Sequence, residues 1–138
     1  MEEHHITVPR TARYHTLGDA RTAKALWIVL HGYGHLARDF LRSFEGLEHD
    51  LFIAAPEGLS RYYTDDEHTR VGATWMTRED REHEIADQVS YLDRLAEELL
   101  RECAPGTHSC EPPRGCWVLT SAISPAPLGR WAWHALIW

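Results

Sequence analysis

Leu30-His31-Gly32-Tyr33-Gly34 stands directly after the apolar run Ala25-Leu26-Trp27-Ile28-Val29-Leu30. A loop that leaves a buried strand with glycines on either side of one residue can carry that residue's backbone N–H close to a ligand, because no Cβ stands in the way. The chemistry served by such an N–H is stabilisation of an oxyanion, the charge that develops on a carbonyl oxygen during acyl transfer. On this reading the donor is the N–H of Tyr33, and His31, Gly32 and Gly34 shape the loop around it. Taken alone, the same residues are equally a Gly-rich turn from strand to helix with no chemical role, since short motifs recur by chance.

Acyl transfer also needs a nucleophile, and the sequence contains no Gly-x-Ser-x-Gly, the spacing that lets a serine sit on a sharp strand-to-helix turn. Gly58-Leu59-Ser60-Arg61-Tyr62 comes nearest, but Tyr62 occupies the place of the second glycine, and Ser60 reads as a turn residue. Ser121 and Ser124 lack flanking glycines altogether. No catalytic serine, and no Asp or His to complete a triad, is assigned.

Other chemistry-bearing residues give weaker patterns. His31 and His35 are four apart, as are His83 and Asp87, and Cys103, His108, Cys110 and Cys116 lie close together. None of these matches a standard zinc spacing, so scattered surface histidines are expected, with no metal and no cofactor. Glu82 with Glu84, and Asp65 with Asp66, read as solvated carboxylates without apolar neighbours to raise a pKa. Trp75 and Met76 could border a pocket or plug their loop onto the core; a long loop bearing aromatics supports either.

The elements that must position these residues follow from periodicity. Residues 4–8 and 11–17, separated by Pro9-Arg10 and closed by Gly18-Asp19, read as an antiparallel strand pair. Residues 24–30 are apolar on both faces, as a strand in the middle of a covered sheet must be. Leu36, Phe40, Phe44 and Leu47 then recur at helical spacing, and residues 51–55 form a second apolar strand ended by Pro56. Residues 24–55 are therefore a β-α-β unit, predicting a parallel pair. Residues 57–77 show no helical or strand period. Thr77 is a candidate cap for a helix with an acidic first turn and the stripe Ile85, Val89, Leu92, Leu95 and Leu99, and residues 116–120 are a candidate next strand.

At 138 residues, 43% hydrophobic and 25% charged, the chain has the size and composition of one globular domain. The net charge of −7 and the absence of a Lys/Arg cluster argue against nucleic acid as a partner. No apolar run approaches a membrane span, and the acidic N-terminus and odd cysteine count predict a cytoplasmic protein. All 21 acidic residues lie before Pro112, whereas residues 112–138 hold four of the seven prolines and four of the six tryptophans. The shift divides the chain into residues 1–110, a globular part, and residues 111–138, a Pro/Trp-rich tail that reads either as a packed segment or as a truncated or frame-shifted continuation.

The order Leu30-His31-Gly32-Tyr33-Gly34, Phe40, Ile53-Ala54-Ala55-Pro56-Glu57-Gly58 and Gly72-Ala73-Thr74-Trp75-Met76 closely resembles the phospholipase/carboxylesterase family. This is the α/β-hydrolase branch that includes small bacterial carboxylesterases and acyl-protein thioesterases. The resemblance spans about residues 4–105 and implies the N-terminal half of an α/β-hydrolase fold. That fold would be a mostly parallel twisted sheet, an antiparallel N-terminal pair and helices on both faces. It further implies a serine esterase for small esters or thioesters, with Tyr33 in the oxyanion hole and Trp75 and Met76 at the acyl pocket. Where the family has its nucleophile elbow, this chain reads Trp117-Val118-Leu119-Thr120-Ser121-Ala122-Ile123-Ser124. The expectation is thus a hydrolase half-site without turnover of its own. The alternative is a non-catalytic binding or interaction module that contacts a partner through an exposed sheet edge and the Trp-rich tail, self-association being one version, or a decayed hydrolase fragment.

Overall fold

Two strands whose residues alternate between two buried faces organise the molecule. In the computed structural model, which describes residues 1–103 together with the backbone of Trp117–Thr120 and Ala126–Pro127, these are β2 (Ala25–Leu30) and β3 (Leu51–Pro56). They pair in parallel, with Trp27 opposite Ile53, as the β-α-β reading predicts. On one face Leu26, Ile28 and Leu30 join Phe52 and Ala54 beneath helix α2 (Arg81–Cys103), which contributes Leu92, Leu95, Ala96 and Leu99. On the other, Val29, Ile53 and Ala55 pack on Ala37 and Leu41 of the short helix α1 (Ala37–Leu41). Strands buried on both faces in this way require a helix on each side.

The five-stranded sheet has the order β1-β3-β2-β6-β7, with β1 at Tyr14–Leu17, β6 at Trp117–Thr120 and β7 at Ala126–Pro127. β6 runs parallel to β2, Trp27 opposite Trp117, so β2 takes the central place expected of it and the strand expected near 116–120 exists. Two of the four pairings within this sheet, β1 with β3 and β6 with β7, are antiparallel. The sheet is therefore α/β in class but mixed, where a mostly parallel one was expected.

Other expectations need correction. Residues 4–8 form no strand; Ile6 and Val8 are exposed, and the antiparallel partner of β1 is β3, which offers it a buried edge and a core for Leu17. The helix expected to continue to Leu47 passes from α1 into a 3-10 turn, Arg42–Phe44, and the backbone then turns away at Gly46 (φ +94°), leaving Leu47 exposed. Residues 57–77, expected to be a loop, hold a hairpin of β4 (Ser60–Tyr63) and β5 (Val71–Thr74). Its connection is built by Asp65, whose Oδ1 accepts the Thr69 and Arg70 N–H groups at 3.0 and 2.9 Å. Thr77 does not cap α2, which begins four residues later. His108, Cys110, Cys116, Ser121 and Ser124 lie outside the described residues. No helix among the described residues is long and apolar enough to cross a membrane.

Candidate functional site

The loop after β2 leaves the carboxyl end of the central strand, the edge at which open α/β sheets present their ligand sites. His31, its first residue, is 2% exposed. Its Nδ1 donates to the Gly32 carbonyl at 2.8 Å, and its Nε2 accepts the Gly58 N–H at 3.0 Å, which fixes the Nδ1–H tautomer. Burial pushes its pKa below the usual value, outweighing the opposing pull of the Gly32 carbonyl and Glu57. The His31 carbonyl accepts the Trp75 indole N–H at 2.9 Å, with the two rings 5.1 Å apart. His31 thus bolts the loop after β2 to the segment after β3 and to the strand end carrying Trp75.

The next contacts fix the far side of the loop. Gly34 has φ +77°, in the region where glycine is at home, and its N–H donates to the Ala73 carbonyl at 2.9 Å. In return Ala73 N–H donates to the His35 carbonyl at 3.3 Å. At Gly72 the hairpin approaches so closely that a Cβ there would overlap the Gly34 carbonyl oxygen and lie 2.8 Å from the Gly34 Cα. His35 N–H closes the turn onto Gly32 O at 3.2 Å. Between these anchors the Tyr33 N–H donates to no acceptor among the described residues. The Tyr33 ring is 74% exposed and lies 5.4 Å from the ring of Tyr62. The Tyr62 hydroxyl is buried without a hydrogen-bond partner among the described residues, and burial followed by the neighbouring Tyr33 pushes its pKa up to about 12.

Trp75 is buried in the α2-facing core, and Met76, half-buried, accepts the Thr74 hydroxyl on its carbonyl at 2.8 Å. Packing is therefore the role that the contacts give Trp75. Ser60 opens strand β4 and donates its hydroxyl to Glu84 at 3.0 Å, so it sits on no strand-to-helix elbow. Glu84 also accepts the Thr77 N–H and hydroxyl, at 2.5 and 3.1 Å. It organises the approach to α2, where a solvated carboxylate was expected.

Sequence reasoning missed Glu57. Its side chain is 1% exposed and accepts from Arg13 Nη2 at 2.6 Å, Arg61 Nη1 at 3.0 Å and the Ala37 N–H at 3.3 Å. Burial alone would raise its pKa; the Arg13 and Arg61 hydrogen bonds, the Arg13 charge and the Ala37 N–H more than offset this and hold it below the usual carboxylate range. The signal was available: a lone acid directly after the apolar strand Leu51–Pro56 must find partners or remain outside. With this geometry, the loop around Tyr33 is bonded to the segment after β3 through Gly58 and to β5 through Ala73. No protein-family model matches the chain, and no curated protein matches it.

Proposed function

We propose that this chain carries the oxyanion-holding half of a site for hydrolysis of small carboxylic esters or thioesters, in the manner of the phospholipase/carboxylesterase family that its motifs resemble. The observation that carries the reading is the Tyr33 N–H, free of any described acceptor while the Gly32 carbonyl accepts from His31 and His35 and the Gly34 N–H is bonded to Ala73. A preorganised donor of this kind costs no reorganisation when charge develops on a bound carbonyl oxygen. His31, Gly32 and Gly34 keep it aimed; the resemblance would put an acyl chain near Met76, with Trp75 packed in the core behind it. In a complete site a serine would attack, a histidine would take its proton, and Tyr33 would share the oxyanion with the N–H following the nucleophile. This chain contains no nucleophile elbow, so the expected turnover is little or none.

Two measurements test the reading. Titration of the folded, 15N-labelled chain with a short alkylphosphonate, an anion shaped like the tetrahedral intermediate, should shift the Tyr33 amide resonance selectively. A spectrum that moves nowhere in residues 31–35 would reduce the motif to a turn and leave the interaction-module reading in its place. Assays with p-nitrophenyl acetate and butyrate, beside a fluorophosphonate probe located by mass spectrometry, should give neither turnover nor adduct. Label on Ser60, Ser121 or Ser124 would show that the nucleophile is present after all.

A further inference from the structure

Away from the Tyr33 loop, three side chains from two distant parts of the sequence converge on the start of α2. His5 Nε2 lies 3.1 Å from Asp80 Oδ2, and His83 Nδ1 lies 2.6 Å from Asp80 Oδ1. One ligand atom from each of the three falls within 4.8 Å of the other two. The imidazole rings of His5 and His83 stack with centroids 4.1 Å apart. A tetrahedral zinc ion with bonds of about 2.0–2.2 Å sets its donors roughly 3.3–3.5 Å from one another, so the three atoms need to move little to share one ion. Glu3 Oε1 lies 3.2 Å from His5 Nε2, and Glu3 and Asp87 both act electrostatically on His83. All four side chains are open to solvent, so water can complete the coordination and no buried charge has to be compensated.

We propose that His5, Asp80 and His83 bind a divalent transition-metal ion of the zinc class, which pins the N-terminal segment to the first turn of α2. Two imidazoles with one carboxylate select such an ion over calcium or magnesium, which prefer all-oxygen shells. On binding, each ring presents its ligating nitrogen unprotonated and keeps its proton on the other one, His5 on Nδ1 and His83 on Nε2. The segment so pinned leads to Arg13, whose guanidinium holds Glu57 and whose carbonyl accepts the Tyr91 hydroxyl at 3.1 Å. Metal would therefore add an anchor to a stretch that has no strand or helix of its own before Tyr14.

The test is Co2+ titration of the whole 138-residue chain by visible absorption, with Zn2+ as competitor. The three cysteines are the rival site, and thiolate ligation announces itself by a charge-transfer band that imidazole and carboxylate do not give. We expect one Co2+ displaced by Zn2+, with no thiolate band. Binding should weaken on the order of a hundredfold in His5→Ala, His83→Ala and Asp80→Asn, and remain when Cys103, Cys110 and Cys116 are all replaced by Ser. Zn2+ should also slow tryptic cleavage at Arg10 and Arg13 in the parent chain but not in His83→Ala, each variant being checked by far-UV circular dichroism. Parent-like affinity in folded His5→Ala and His83→Ala chains, or a site that disappears with the cysteines, would overturn the proposal.

Discussion

A histidine with Nδ1 spent on the Gly32 carbonyl and Nε2 on the Gly58 N–H has no place for a second proton unless one of those contacts breaks. His31 should therefore resist protonation below the usual imidazole value, and its ring 15N shifts should report the Nδ1–H tautomer at neutral pH. If its resonances move together with those of the other histidines, the assigned contacts are wrong. Because its folded pKa lies below the unfolded value, the unfolded chain takes the proton first. The His31 contribution is thus complete above about pH 6.5 and declines as the pH falls below it. Glu57 follows the carboxylate case: its contribution is present above about pH 4.5 and is lost as the pH falls through its lowered folded value. Glu57→Gln keeps the shape but leaves two arginines without a charged partner, and should lower stability by about 1–3 kcal/mol in urea unfolding.

Between elements, the hairpin is what holds the Tyr33 loop in place, and Gly72 is the point of closest approach. Gly72→Ala would push a methyl group into the Gly34 carbonyl, forcing β5 away from the loop at a cost of about 1–3 kcal/mol. The same substitution should abolish the phosphonate-induced shift at Tyr33; a retained shift would mean that the hairpin does not support the donor. Leu92→Ala, at a fully buried position of α2, should cost about 2–5 kcal/mol, again by urea unfolding, and leave the loop contacts intact. β2, β3 and α2 were legible because their apolar periods are long and uninterrupted. The hairpin was not: its strands have four residues each, one reads Val-Gly-Ala-Thr, and their pairing depends on contacts with the loop after β2. His31, Gly32, Tyr33 and Gly34 were legible as a loop from their glycines, but Glu57, Arg13 and Arg61 come together across the fold and leave no local period. The cluster of His5, Asp80 and His83 was hidden for the same reason, since its ligand spacing exists only in three dimensions.

For the molecule as a whole, one sheet joins three chain regions: β1, the β2-α1-β3 unit, and the pair β6 and β7. The α2 face and the α1 face are packed through alternate residues of the same two strands, so both cores depend on β2 and β3. Leu92→Ala should therefore lower the urea midpoint of the whole fold while the Tyr33 amide keeps its shift, whereas Gly72→Ala should change both. The position of β6 matters for another reason. Trp27 and Trp117 stand in register although roughly ninety residues separate them along the chain, a long loop to close before the pairing gives anything back. On the ribosome, β2 emerges early and acquires β3 soon afterwards, but its other edge must wait until residues 117–120 have been made. During that interval the future centre of the sheet is an open edge, and a nascent chain halted before residue 117 should bind chaperones more strongly than one released past residue 127.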